Sequence, residues 1–185
     1  MKKKSAIVAT FLLCLTVVAI AQEKGPPKSP PADAECKFSD GKTVKVHYSS
    51  PRMRGRKIYG DLVPYGKVWR TGANEATSFV TDTDLTVGGK DVPAGSYTIF
   101  TVPAEAPGKW KLIVNKATGE WGVNKQEGYT YDATELARID MNATTALDTP
   151  VEQFTISLPN KGGDTCTLRF DWEKTRAEVD VKEKK

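Results

Sequence analysis

Hydrophobic and polar residues alternate with a period of two along most of this chain, the pattern of strands that bury one face. Val44, Val46 and Tyr48 share one side of Thr43–Ser49, and Lys45 and His47 take the other. Residues 76–81 hold the β-rich run TSFVT. Leu85–Val87 and Lys90–Val92 flank Gly88-Gly89, which predicts a tight hairpin. A further strand is expected over Gly95–Val102, with Tyr97, Ile99 and Thr101 on one side. Another covers 109–115, where Trp110, Leu112 and Val114 alternate with Lys111 and Ile113. Residues 136–141, 153–158, 165–172 and 175–181 complete the series, the last two joined by a hairpin at Glu173-Lys174. Only 56–63 and 120–128 leave room for a helical turn. Eight to ten short strands with little helix predict an all-β fold. We expect an antiparallel two-sheet β-sandwich, jelly-roll-like or closed as a flattened barrel.

The N-terminus departs from this pattern. Lys2, Lys3 and Lys4 precede an apolar run over 6–20 that is too short and too poorly flanked for a membrane span. Ala19-Ile20-Ala21 supplies a small-x-small cleavage pattern, so 1–21 reads as a secretion signal and Gln22 as the mature start. Cys14 follows Leu13 in mid-run, which argues against a lipoprotein. Removing the signal leaves 164 of the 185 residues, enough for one domain with a sizeable core. It also takes away three lysines and lowers the formal charge from +4 to +1. No basic block runs through the rest, so no nucleic-acid partner is expected, and no membrane span after cleavage.

Residues 22–33, QEKGPPKSPPAD, carry four prolines and no apolar pattern, and read as an extended spacer before a single domain over 34–182. Cys36 and Cys166 survive signal removal. An even pair in an oxidising compartment suggests a disulfide tying the first strand to one of the last, with two buried thiols as the plainer alternative. In the chain-entropy view so long a loop is worth about 4 to 5 kcal/mol.

The segment 48–77, YSSPRMRGRKIYGDLVPYGKVWRTGANEAT, fits no ordinary strand or helix. It sets Arg52, Arg54, Arg56, Arg70 and Lys67 among glycines and aromatics. Glycine opens backbone shapes closed to other residues, and arginine offers a planar fork of donors for carboxylate or phosphate. The run GRKIYGDLVPYGKVWRTGANEAT over 55–77 resembles the signature of an exported bacterial family, domain of unknown function 2911. The likeness continues through Val87-Gly88-Gly89-Lys90, Pro93-Ala94-Gly95-Ser96-Tyr97 and Phe100-Thr101-Val102-Pro103. It resumes at Trp110, Asn115, Trp121-Gly122, Pro150-Val151-Glu152 and Trp172-Glu173-Lys174-Thr175. The resemblance spans about 34–181 and implies an exported β-rich domain; it brings no catalytic assignment.

Candidate chemistry is correspondingly open. His47 is the only histidine, which excludes zinc sites with several histidine ligands and means that a Ser-His-Asp triad, with Ser49 or Ser50 nearby, would have to use it. It reads better as a polar residue on the exposed face. Arg52, Arg54 and Arg56 are spaced by two, so in an extended segment they share one side and attract anions; a solvated edge that discourages aggregation explains them equally. Arg70 and Glu75, with Asn74 between them, serve either a polar ligand or a structural ion pair. Thr71-Gly72-Ala73-Asn74 reads as a turn. Trp69, Trp110, Trp121 and Trp172, with Tyr59 and Tyr65, are core more readily than a sugar platform; Trp69 and Trp121 are the better exposed candidates. Asp82, Asp84 and Asp91 match no calcium spacing, and neither a metal nor a cofactor is expected.

These residues point to binding more than to catalysis. The expected function is an exported, envelope-related protein that holds a small polar or anionic ligand at Arg52, Arg54, Arg56, Trp69, Arg70, Asn74 and Glu75. One alternative is an envelope hydrolase with Glu75 as base and Arg70 as electrostatic stabiliser, helped by Asp61 or His47. Another is a module that docks an envelope protein through Ile58, Tyr59, Leu62 and Tyr65.

Overall fold

A computed structural model describes residues 27–123, 128–145 and 147–185. The expected signal 1–21 and the start of the spacer, 22–26, lie outside the described residues. Within them, twelve strands form one antiparallel sheet curled almost into a barrel. Strands β1 (Pro31–Lys37), β2 (Thr43–Ser49) and β3 (Ala73–Thr81) lie side by side. The hairpin of β4 (Leu85–Val87) and β5 (Lys90–Val92) turns aside at Gly88-Gly89, as the sequence predicts. Then β6 (Gly95–Val102), β7 (Trp110–Asn115) and β8 (Glu135–Thr144) continue the first half of the sheet.

The second half holds β9 (Val151–Ser157), β10 (Asn160–Gly162), β11 (Thr165–Glu173) and β12 (Thr175–Glu183). Strand β8 belongs to both halves: Glu135 to Met141 pair with β7, and Asn142 to Thr144 pair with β12. The connection from β8 to β9 skips past β12 and β11, so these four strands form a Greek key within an otherwise meandering order. The fold is a flattened barrel.

Closure does not come from β1, which pairs only with β2. Instead the chain leaving β2 runs on past Ser49 and pairs with β9. The Phe154 amide donates to the Pro51 carbonyl at 2.8 Å, and the Met53 amide to the Glu152 carbonyl at 2.8 Å. The Ser50 hydroxyl donates to the Phe154 carbonyl at 2.5 Å, and the Ile156 amide to the Tyr48 hydroxyl at 2.9 Å. Cys36 of β1 and Cys166 of β11 form the expected disulfide across this seam.

The alternating residues fill the interior: Val44, Val46, Phe79, Ile99, Leu112, Phe154 and Phe170 are all buried. Three details differ from the sequence reading. Pro31, Ala32 and Asp33 are not spacer but the start of β1, paired with Ser49, Tyr48 and His47. Phe100 and Ile113, on the outer face of β6 and β7, are as buried as the core. The long β7–β8 connection covers Phe100, with the rings of Tyr129 and Tyr131 lying 5.1 and 5.8 Å from its own. Finally, the described helical structure is a single 3-10 turn at Asp132–Thr134. Residues 56–63 form turns, 120–123 are irregular, and 124–127 lie outside the described residues. No helix among the described residues is long and apolar enough to cross a membrane.

Candidate functional site

Residues 50–72 cross one end of the barrel, from β9 on one side to β6 on the other. At the far side the Trp69 amide donates to the Thr101 carbonyl at 2.7 Å and the Gly66 amide to the Pro103 carbonyl at 2.8 Å. The underside of this crossing is apolar. Ile58, Tyr59 and Val63 are buried, and Tyr59 inserts its ring 4.9 Å from that of Trp110 and 6.3 Å from that of Trp172. Trp69 stacks on Trp172 at 5.8 Å and meets Phe154 edge-on at 5.0 Å. Aromatic pairs in these geometries add to the area they bury. Burial pushes the Tyr59 phenol well above its ordinary pKa, and Glu173 adds to the shift. The signature segment therefore acts first as a plug.

Burial of Ile58 and Tyr59 removes the apolar docking patch expected around Ile58, Tyr59, Leu62 and Tyr65; of these, only Leu62 is exposed. Trp69 likewise is no open platform. It is half-buried, and its Nε1 donates to the Gly72 carbonyl at 3.1 Å. Trp121 is the exposed tryptophan, at 64 %.

The three closely spaced arginines are not on one side, because the segment is not extended there. The chain reverses at Arg54-Gly55, with φ of 51° and 71°. Arg56 then folds back and donates through Nε to the Met53 carbonyl at 2.9 Å and through Nη2 to the Arg52 carbonyl at 2.7 Å. Arg54 donates through Nη2 to the Lys28 carbonyl at 3.3 Å, and its amide to Glu152 Oε1 at 2.9 Å. Arg52 and Arg54 thus border a separate hollow with Pro27, Pro30 and Glu152.

Arg70 does not pair with Glu75. Its Nη1 donates to the carbonyls of Asn74 (2.6 Å) and Trp121 (3.1 Å), and its Nη2 to that of Val123 (3.1 Å). One guanidinium so fastens the β7–β8 connection to the turn at Thr71–Asn74. That turn carries positive φ at Thr71 (55°) and Asn74 (56°). Asparagine tolerates this region; a buried, β-branched threonine there is a strained residue held by its surroundings. The Thr71 hydroxyl bonds to that of Thr101 at 3.2 Å, and the Thr71 carbonyl accepts from the Thr77 hydroxyl at 2.7 Å. Asn74 donates to Ser49 Oγ at 3.1 Å.

Together these contacts shape a depression of about 310 Å³ lined by Arg56, Leu62, Trp69, Arg70 and Asn74, with Trp172 beneath. A smaller hollow of about 220 Å³, bordered by Pro64, Val68 and Val123, adjoins it across Leu62, Trp69 and Arg70. Of the seven residues expected to bind, the structure gathers Arg56, Trp69, Arg70 and Asn74 around the first depression. Glu75 is exposed, and no hydrogen bond or ion pair joins it to Arg70, His47 or Asp61 among the described residues. His47 bonds instead to Asp33 at 2.7 Å on the outer face, and Ser50 is buried on the Phe154 carbonyl. Asp82 accepts from the Thr43 amide, Asp84 from the Ala94 amide, and Asp91 pairs with Lys184.

Sequence reasoning missed Asn115. It is fully buried at the end of β7, where its Nδ2 donates to the Tyr129 hydroxyl and the Tyr131 carbonyl, both at 2.9 Å. Its Oδ1 accepts from the Ala117 amide at 2.8 Å and the Thr134 hydroxyl at 2.7 Å. All four valences of the amide are used, and they fix both ends of the connection that reaches Arg70. An amide closing the apolar stretch Leu112-Ile113-Val114 at the end of the strand was the available signal.

A protein family described as "Protein of unknown function (DUF2911)" matches residues 29–181, which include every residue of both depressions. No curated protein and no solved structure matches the chain.

Proposed function

The chain belongs to the family of proteins of unknown function DUF2911, so its activity has to be read from its own side chains, and from these we propose an exported protein that binds a small polar or anionic ligand. The ligand sits in the depression of Arg56, Trp69, Arg70 and Asn74 at the plugged end of the barrel. One contrast carries this reading. Arg138, Arg169 and Arg176 each pair with a carboxylate, at 2.7, 3.1 and 2.7 Å. Arg52, Arg54, Arg56 and Arg70 pair with none among the described residues, and three of them donate to carbonyls instead.

A carbonyl orients a guanidinium without cancelling its charge. The positive field over the depression is therefore left for an incoming anion, and the side chains that supply it are already held in place. Spare N–H donors of Arg56 and Arg70 and the Asn74 amide offer the directed bonds, and Trp69 supplies an apolar floor. The volume suits a small molecule. Export follows from the N-terminal signal pattern, and the Cys36–Cys166 disulfide fits an oxidising destination.

Thermal unfolding of the mature oxidised protein against sulfate, phosphate, simple carboxylates and uronic acids tests the reading. A ligand at a hundred times its Kd adds about 2.7 kcal/mol, which raises the midpoint of a protein this size by several degrees. We expect at least one anion to do so, the effect to weaken with salt, and Arg56→Gln to abolish it. Equal midpoints across the panel, or an identical response from Arg56→Gln, would sink the proposal.

A further inference from the structure

Two of the three large apolar side chains that stand exposed among the described residues belong to this one end of the barrel. Leu62, 45 % exposed, forms the ridge between the two hollows, and Trp121, 64 % exposed, rides on the segment that Arg70 holds. The smaller hollow beyond Leu62 is bordered by Pro64, Val68 and Val123, with the stem of Lys67 at its edge. Leu62, Val63, Pro64, Val68 and Val123 give the smaller hollow a largely apolar wall, a surface that an apolar ligand group takes out of water and a bare inorganic anion does not.

We infer that the ligand is an amphiphilic anion, bound as a single molecule. Its charged head lies between Arg56, Arg70 and Asn74, and a short chain or ring crosses Leu62 into the hollow of Pro64, Val68 and Val123. This rests on the anion-binding reading of the same site and goes beyond it by naming the second half of the ligand. Both hollows are concave and together limited to about 310 and 220 Å³, which suits a monomeric short-chain acid and not the flat surface of a bilayer. The chain, not the head, then sets selectivity. Each methylene laid into the hollow tightens binding about two- to fourfold until the hollow is full, and further methylenes add nothing.

The test titrates the mature protein calorimetrically with straight-chain carboxylates from acetate to octanoate, with inorganic phosphate, and with phosphatidylglycerol vesicles. The inference expects affinity to climb from acetate to a mid-length chain and then level off. Leu62→Asn should flatten that climb, the readout being the slope of affinity against chain length; Leu62 is exposed, so its replacement leaves the fold intact, which the melting midpoint checks. Affinity that is independent of chain length overturns the amphiphile while the anion site stands. Binding to vesicles alone overturns it in favour of a lipid surface. Failure of every anion, phosphate included, removes the anion site and this inference with it.

Discussion

Gly122 lies against the side chain of Arg70 so closely that a Cβ at position 122 would stand 2.9 Å from the Cβ of Arg70 and 3.0 Å from its Nε. With φ at +104°, Gly122 also holds a backbone shape that other residues resist. The glycine is what lets the β7–β8 connection settle onto the guanidinium. Gly122→Ala should therefore displace Arg70 without changing any charge. We expect about 1 to 3 kcal/mol lower stability in urea unfolding and anion affinity reduced on the order of tenfold. Unchanged affinity would show that the position of Arg70 does not matter.

Asn115 carries the other anchor of that connection. Asn115→Ala leaves the Tyr129 hydroxyl, the Tyr131 carbonyl, the Ala117 amide and the Thr134 hydroxyl without their partner. Lost bonds and stranded polar groups together should cost about 2 to 4 kcal/mol, read by denaturant titration. A loss below about 1 kcal/mol would mean that Tyr129 and Tyr131 hold the connection by packing on Phe100 alone.

Much of this architecture was legible beforehand, because period-two alternation reports directly which strand face meets the core. Val44, Val46 and Tyr48 face inward as read, the Gly88-Gly89 hairpin forms, and Cys36 and Cys166 are joined. What failed to show was anything that depends on a neighbour distant in sequence. Ile113 alternates like a solvent-facing residue and yet is buried, and beside it on the same face Phe100 is covered by Tyr129 and Tyr131 from a connection that begins just after β7. Arg70 invites pairing with Glu75 five residues on, yet its partners include Trp121 and Val123. The spacing of Arg52, Arg54 and Arg56 implies one shared side only if the chain stays extended, and the turn at Gly55 breaks that premise.

The disulfide spans the seam that β1 leaves without a ladder to the second half of the sheet. Cys36→Ser with Cys166→Ser should cost about 2 to 5 kcal/mol, chiefly by freeing the unfolded chain. The variant is expected to unfold cooperatively at a lower urea midpoint with its strand content intact. No change in midpoint would show that the pairing of 51–53 with β9 closes the barrel unaided.

Glu135 lies beneath the same connection, and its bond to the Arg138 guanidinium holds its carboxyl below the ordinary 4.5, with the Tyr129 hydroxyl assisting and burial opposing. A carboxyl lowered in the folded state stabilises above its ordinary pKa, and that stability is lost as the pH falls through the lowered value. The pair is partly exposed, so the effect is about 1 kcal/mol or less. Melting midpoints followed from pH 7 to pH 3 should show the native protein above Arg138→Gln near neutrality, with the gap closing below pH 4.5. A gap that stays constant with pH would assign the role of Arg138 to packing.

The central claim is that the arginines of the plug, which unlike the others pair with no carboxylate among the described residues, meet an anion. Nitrogen-15 spectra of the mature protein, titrated with inorganic phosphate at low ionic strength, read this one arginine at a time. The account predicts saturable shifts at the Nε–H signals of Arg56 and Arg70 and at the amides of 69–74, with Arg138, Arg169 and Arg176 unmoved. Shifts that never saturate, or that fall equally on all seven arginines, would contradict it.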